Sequence, residues 1–347
     1  MSKINATVVA DSVNPQGDRL TSLLITFPRI LLSEVNTHRM LSKNTSSSRA
    51  IPFEKMVEAV QNNPFIPIAW QKEHTGMQGY EYIIDEELIN QCRLNWLGAK
   101  DKAIQFAKDA NYNLQVTKQL CNRLLEPFMW TTMLITGSKE GWNNFFNLRC
   151  PQYQTPVSQT IEPQKSWKDL MDNHSNPVNE KILEDNKDNI LFKLQHNKGQ
   201  AEIHMMMLSE KIYDAVNEST PKQLQENEWH LPMISDLESL KLSTDDQIKL
   251  SVGRAANTSY TVVGDGKELT LEHAIKIHDK CKELNHSSVF EHCARAMSDE
   301  EYKQFWKSNG KVNYKDKQDL IRIEGGWCYN LKGFISLRYM IDNKINL

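Results

Sequence analysis

A pair of strand patterns near the N-terminus constrains this fold most. Residues 7–13 and 20–27 are rich in Val, Ile, Leu and Thr, and the turn sequence Asn14-Pro15-Gln16-Gly17-Asp18 separates them. Almost every regular pattern after this pair is helical. Pro28 is placed to start a helix over residues 29–41, with Leu31, Val35 and His38 at i, i+4 and i+7. A second helix is predicted over 54–61, stopping before Asn62-Asn63-Pro64.

The longest periodic stretch is 85–110, where Leu88, Cys92, Trp96, Ala99, Ala103 and Phe106 recur at helical spacing. Val116, Leu120 and Leu124 mark another helix closed at Pro127, and Trp142, Phe145 and Phe146 mark a further one. Residues 151–195 are polar, poor in aromatics and weakly periodic, which predicts an insertion or a long mobile loop. Helical spacing resumes with Ala201, Met205, Leu208 and Ile212, and helices are predicted over 243–257 and 270–284. Gly325-Gly326 punctuates the chain before a last aromatic segment, 327–341. No internal repeat is evident beyond a short echo: Phe146-Asn147-Leu148-Arg149 and Ile335-Ser336-Leu337-Arg338 both end in Leu-Arg.

A chain of 347 residues can bury a substantial core. Its 41 basic and 44 acidic residues, a net charge of −3, argue against a general nucleic-acid binder, so local basic clusters read as sites for small anions or as solvated faces. The six cysteines contain no CxxC pair and suggest neither a disulfide framework nor a zinc site; no metal site is predicted. No signal peptide or membrane-length apolar run is evident. A reduced, soluble, cytoplasmic protein is the expectation.

Residues 37–49 are dense in arginine and hydroxyl side chains. Arginine forks pair with phosphate oxygens, and Ser and Thr add short adjustable donors. Read alone, the stretch is a solvated Ser-rich loop or an anion cradle. The order His38-Arg39-x-x-Ser42-x-Asn44-x-x-Ser47-x-Arg49 resembles the signature of the flavin-dependent thymidylate synthases. Three weaker blocks accompany it. Asn147-Leu148-Arg149, followed after roughly 45 extra residues by Gly199-Gln200-Ala201-Glu202-Ile203, resembles the family's Asn-Leu-Arg and Ala-Gln-x-Glu-Ile elements. Arg254-Ala255-Ala256 through Ser259-Tyr260 resembles its Arg-Ala-Ala-x-x-Ser-Tyr, and His286-Ser287-Ser288-Val289-Phe290-Glu291-His292 resembles its His-x-Ser-x-Phe-Glu-His. In most members the last two blocks precede the signature. Here they follow it, at 243–297, as in a circularly rearranged, bacteriophage-type member.

The resemblance implies one catalytic domain spanning 1–347. It implies a helix-rich α+β fold, with a mixed or antiparallel sheet packed against long helices. It also implies reductive methylation of dUMP to dTMP by FAD, with NADPH and methylene-tetrahydrofolate as co-substrates. Arg149 and Ser47 would be catalytic. Glu34, Ser47, Ser48, Arg49, Arg123 and Arg149 would hold the pyrimidine nucleotide, and Thr37, His38, Arg39, Asn44, Asn144, His196, Ser259, His286, Ser288 and Glu291 the flavin. The family usually has arginine where Thr37 stands and glutamate where Thr45 stands. Its histidine before the Gln is replaced by Lys198, with His196 two residues earlier. A homotetramer, in host cytoplasm if phage-encoded, is implied. Two other classes fit the same blocks: an enzyme that methylates or hydroxymethylates another pyrimidine monophosphate such as dCMP, and a non-catalytic nucleotide-binding protein. No cysteine has a nucleophile's setting; Cys150 before Pro151 reads as a buried thiol.

Overall fold

The computed structural model describes residues 3–75, 79, 81–157, 162–173, 176–260, 269–309, 311–312 and 323–345. Strands β1 (Asn5–Val13) and β2 (Arg19–Pro28) pair antiparallel, from Asn5 opposite Thr26 to Val13 opposite Arg19, with a register shift between Val8 and Ala10. The turn between them closes on Asn14, which accepts from the Asp18 amide at 2.8 Å, and on Gly17 at φ +87°, a conformation that favours glycine. Helix α1 (Leu32–Asn36), strand β3 (Ser42–Thr45), helices α2 (Phe53–Asn62), α3 (Glu86–Tyr112) and α4 (Lys118–Cys121), strand β4 (Trp130–Ser138) and helix α5 (Lys139–Arg149) follow.

Helices α6 (Trp167–Asn173), α7 (Pro177–Asp185), α8 (Ile190–Gln195) and α9 (Ile203–Glu218) come next, then strands β5 (Lys222–Gln223) and β6 (Trp229–His230). The C-terminal third holds helices α10 (Asp236–Lys241), α11 (Thr244–Asn257) and α12 (Leu271–Glu283), strand β7 (Ala294–Ala296) and helix α13 (Asp299–Asn309). It ends in short strands β8 (Lys311–Val312), β9 (Ile323–Glu324), β10 (Trp327–Cys328), β11 (Leu331–Lys332) and β12 (Phe334–Ser336) and helix α14 (Leu337–Asp342).

The main sheet has the order β3-β4-β2-β1-β5, antiparallel except for the parallel β1/β5 pair. The architecture is therefore α+β, with a mixed sheet and much helix. Alternation along β2 and β4 sends Leu23, Ile25, Phe27, Met133 and Ile135 to one face. There they meet Val35, Trp142, Phe145, Met205, Leu208 and Ile212, the inward stripes of α1, α5 and α9. Truncating a fully buried residue of this core, such as Phe145, removes on the order of 3–5 kcal/mol of stability. Among the described residues no helix is long and apolar enough to cross a membrane.

The opposite face carries a polar chain. Ser12 Oγ meets His230 Nδ1 at 2.9 Å, His230 Nε2 meets Ser22 Oγ at 2.8 Å, Ser22 Oγ meets Thr136 Oγ1 at 2.6 Å, and Thr136 Oγ1 meets His292 Nδ1 at 2.8 Å. All five residues are buried, and among the described residues His292 Nε2 has no hydrogen-bond partner. Burial holds both imidazoles neutral, lowering His230 to about 4 and His292 to about 3, the latter helped by His230.

Several sequence expectations need correction. The helix predicted over 29–41 is a 3-10 turn, Arg29–Leu31, and a short α1 ending at Asn36, so the signature starts after the helix rather than on its end. Its middle, Ser42–Thr45, is edge strand β3, held by β4, and residues 46–50 then leave the sheet as turn and irregular backbone. Helix α3 buries Ile104 and Ala107, with Trp96 and Ala103 of the predicted stripe packed beside them, but leaves Leu88 at 48% and Phe106 at 63% exposure. Its packing partners α2 and Asn122–Phe128 touch a face that overlaps the periodic one only in part. The helix expected through Leu120 and Leu124 is α4 plus the 3-10 turn Asn122–Phe128, and both leucines are exposed.

Residues 151–195 hold three short helices, α6–α8, not a long loop; 158–161 and 174–175 lie outside the described residues. Tyr153, Trp167, Leu170 and Leu183 give the segment a small core of its own. Glu210 of α9 pins it, accepting from the Trp167 amide at 2.7 Å and from Tyr153 Oη at 3.1 Å. Periodicity was faint because three short amphipathic pieces in different directions leave no long stripe.

Candidate functional site

Helix α5 ends at Arg149 because Cys150 is extended before Pro151. Ser209 of α9 donates to the Arg149 carbonyl at 2.7 Å and fixes that end. The guanidinium then reaches the signature. Nε donates to His38 Nε2 at 3.0 Å, one terminal nitrogen to Glu34 Oε2 at 3.0 Å and the other to Thr37 Oγ1 at 3.5 Å. Residues separated by more than a hundred positions thus form one centre.

His38 is 5% exposed and packs edge-on against Phe145, ring centroids 4.8 Å apart. Burial, then Arg149, then Lys43 lower it to about 4, so the ring is neutral. A guanidinium only donates, so Nε2 must be the acceptor and the proton sits on Nδ1. Glu34 is shifted the other way: burial raises it, Arg149 opposes and Glu202 adds to the rise.

Glu202, of the 199–203 block, also belongs to this centre. Its carboxylate caps α9, accepting from the amides of His204 at 2.8 Å and Met205 at 3.1 Å. It also meets His204 Nδ1 at 2.6 Å, while His204 Nε2 accepts from the Ile68 amide at 3.1 Å. That amide fixes the tautomer: Nδ1 carries the proton and donates it to Glu202. The carboxylate facing Glu34 is therefore held on both oxygens.

The hydroxyl run is partly structural. Ser48 Oγ donates to Glu126 Oε1 at 2.6 Å, and Arg29 Nε lies 3.1 Å from the same oxygen. Ser46 Oγ meets Thr131 Oγ1 at 2.7 Å, and Asn122 donates to the carbonyls of Ser48 at 2.7 Å and Ile51 at 3.1 Å. Ser47 is half-buried with its amide on the Ser259 carbonyl at 2.9 Å. Arg49 is exposed and bonds Gln119 at 3.2 Å, one turn from the exposed Arg123. Arg39 is exposed as well, and among the described residues neither Arg39 nor Arg123 has an ion-pair partner.

The late blocks meet the signature at β3. Asn44 donates to the Ala255 carbonyl, and Ser259 Oγ donates to Asn44 Oδ1 at 3.4 Å. Glu291 pairs with Arg338 and acts electrostatically on Lys43. His286 and Ser288 are exposed beside it in sequence, around the 3-10 turn Ser287–Glu291. Asn144 is exposed on α5, away from the face that buries Trp142 and Phe145. His196 belongs to the end of α8, bonding the Phe192 carbonyl at 2.9 Å and lying over the Phe192 ring.

Arg29, Glu126, Lys43 and His204 were missed in the sequence. The Arg-Glu pairing across the turn before β4 leaves no trace in spacing; Lys43 stands inside the 37–49 stretch, and His204 directly follows the 199–203 block. Burial pushes the Cys150 thiol up to about 12, so the cysteine next to Arg149 is not a thiolate nucleophile. A separate pocket of about 590 Å³ is lined by Trp229, Arg295, Glu301 and Met340, none of them near this centre in sequence or contact. Its arginine is already held bidentately by Glu301.

The residue types fit the anionic, acceptor-rich groups of nucleotides, FAD included: Arg39, Arg49 and Arg123 are exposed, Lys43 is half-buried, and the Ser259 hydroxyl meets Asn44 of β3. No protein-family model and no curated protein matches the chain. Among solved structures, it is similar to a UMP/dUMP methylase, PolB of Streptomyces cacaoi bound with 5-Br dUMP, at 12% identity over 56% of this chain and 94% of that one, TM-score 0.35. It is also similar to thymidylate synthase X of Helicobacter pylori with FAD and dUMP, at 12% identity over 58% of this chain and 74% of that one, TM-score 0.26. Superpositions this loose do not carry an activity from one chain to another.

Proposed function

We propose that this chain is a flavin-dependent methylase of a pyrimidine nucleoside monophosphate, acting as a thymidylate synthase that converts dUMP to dTMP with methylene-tetrahydrofolate and NADPH. The observation that carries the reading is the His38–Arg149 bond at 3.0 Å. It joins the two blocks whose resemblance assigns one to the flavin and the other to the uracil ring. Bound FAD would accept hydride from NADPH and deliver it to complete the methyl group.

The chain's own residues do the rest. Neutral His38 fixes the Arg149 guanidinium by accepting from Nε, and Glu34 and Thr37 hold the terminal nitrogens until a base replaces one of them. Arg149 then stabilises negative charge developing on the pyrimidine carbonyl. Arg49 and Arg123, on one exposed face with Gln119 between them, hold the phosphate, and Ser47 lies at the junction. Thr37, Arg39, Asn44, Ser259 and the Glu291 turn take the flavin. The functional unit is a homotetramer.

The test is the visible spectrum of purified protein with FAD, before and after NADPH, followed by tritium release from C5-labelled dUMP and dCMP. A flavin spectrum that bleaches, with release from dUMP, supports the reading. Release from dCMP alone moves the enzyme to a different pyrimidine. No flavin uptake overturns the reading in favour of a non-catalytic nucleotide-binding protein.

A further inference from the structure

Lys43 occupies the point where the three cofactor blocks meet. Strand β3 alternates, burying Ser42 and Asn44, and the Lys43 stem departs between them. Its ammonium turns back to donate to the His38 carbonyl. Asn44, next in the chain, ties β3 to Ala255 and Ser259, and β3 packs against the turns Thr258–Tyr260 and Ser287–Glu291.

An ammonium has three donors. Here one carbonyl engages Lys43, and among the described residues no carboxylate lies within ion-pair distance of it. Glu291 is the acid that acts on it, and the Glu291 carboxylate is already taken by Arg338, which Asp342 also contacts at 3.5 Å. A half-buried cation with an unengaged remainder is costly unless a counter-ion arrives. Consistently, burial lowers Lys43 to about 8, with Glu291 opposing the fall. A hydrophobic or neutral residue would fill this strand position without that cost.

We propose that Lys43 is a cofactor-contact residue, the counter-ion for negative charge on the bound flavin dinucleotide. The inference rests on the flavin reading above and adds a residue to it. Two parts of the cofactor carry such charge, the diphosphate and the reduced ring, and a cation near either is a known lever on a flavin.

The experiment compares wild type, Lys43→Met and Lys43→Arg by fluorescence titration with FAD and with riboflavin, and by the reduction midpoint of the bound flavin. A Lys43→Met loss of at least tenfold in FAD affinity, with riboflavin unchanged, places the ammonium at the diphosphate. A more negative midpoint places it at the ring. In either case Lys43→Arg restores the wild-type value. Equal FAD affinity and equal midpoint in wild type and Lys43→Met overturn the proposal while leaving the flavin reading intact. A loss of dUMP affinity with FAD unchanged also overturns it. Wild-type protein that takes up no FAD overturns the parent reading instead.

Discussion

Two histidine centres, one in each half of the fold, use similar side chains to opposite ends. At the candidate site, His38 meets Arg149, Glu34 and Thr37. Across the sheet, His230 and His292 hydrogen-bond to the hydroxyls of Ser12, Ser22 and Thr136. All three imidazoles are neutral because all are buried. Their polarity differs. A guanidinium can only donate, so the direction of every bond at the first centre is fixed. Hydroxyls donate or accept, so the second chain of bonds can run either way. The first arrangement presents an oriented charge to whatever enters; the second satisfies buried polar atoms and holds strands β1, β2 and β4 to β6 and the Glu291 turn.

The contrast breaks most sharply at Arg149. Arg149→Ala should reduce turnover by about 10²–10³-fold, the scale of losing one charge-stabilising donor. Flavin uptake should persist, read by absorbance. Unchanged turnover would make the guanidinium a structural tie only.

Thr136→Val tests the other centre. It keeps shape but leaves Ser22 and His292 short of a partner, costing roughly 1–3 kcal/mol in urea unfolding. Turnover per folded molecule should stay near wild type. A silent Thr136→Val would mean that Ser22 and His292 find other partners.

A pH series addresses the same pair. Both histidines have folded values below their unfolded ones, so the unfolded chain binds the protons first. Their contribution is complete above the unfolded value, about 6.5, and is lost as pH falls toward the folded values of about 4 and about 3. Unfolding midpoints should fall through that window, and less so in His230→Phe measured relative to its own neutral-pH value. A flat profile would show the imidazoles solvated in the native state.

The smallest effect on stability belongs to Arg49→Ala and Arg123→Ala. Both side chains are exposed, so unfolding should change by less than about 0.5 kcal/mol. The KM for the nucleotide should rise about tenfold with kcat nearly kept. A KM unchanged in both would remove the phosphate from this face.

Much of the framework is legible in the sequence. The β1/β2 pair with its Gly17 turn, the buried face of α5, and the start of α11 after Ser243 follow from turn chemistry, period and capping. The family resemblance pointed to His38, Arg149, Ser259 and Glu291, and the fold brings Arg149 to His38 and Ser259 to Asn44. What was hidden depends on long-range contact. No local rule reveals that Ser48 belongs to Glu126 and Arg29, or that Lys43 faces Glu291. The stripe of α3 misled because period reports a face, not the neighbour that covers it. Residues 151–195 misled because side-chain tethers to α9 and α5, at Glu210, Glu218 and Asn147, leave no trace in periodicity.

Those tethers have a topological consequence. The segment leaves and rejoins the body at one place, where Lys198 N meets the Gln152 carbonyl and Gln154 N the His196 carbonyl, each at 2.9 Å. It is a side branch on the path from Arg149 to Glu202. Its length and shape can therefore vary without altering the distance between those two residues, provided the graft returns donors to Glu210, Glu218 and Asn147.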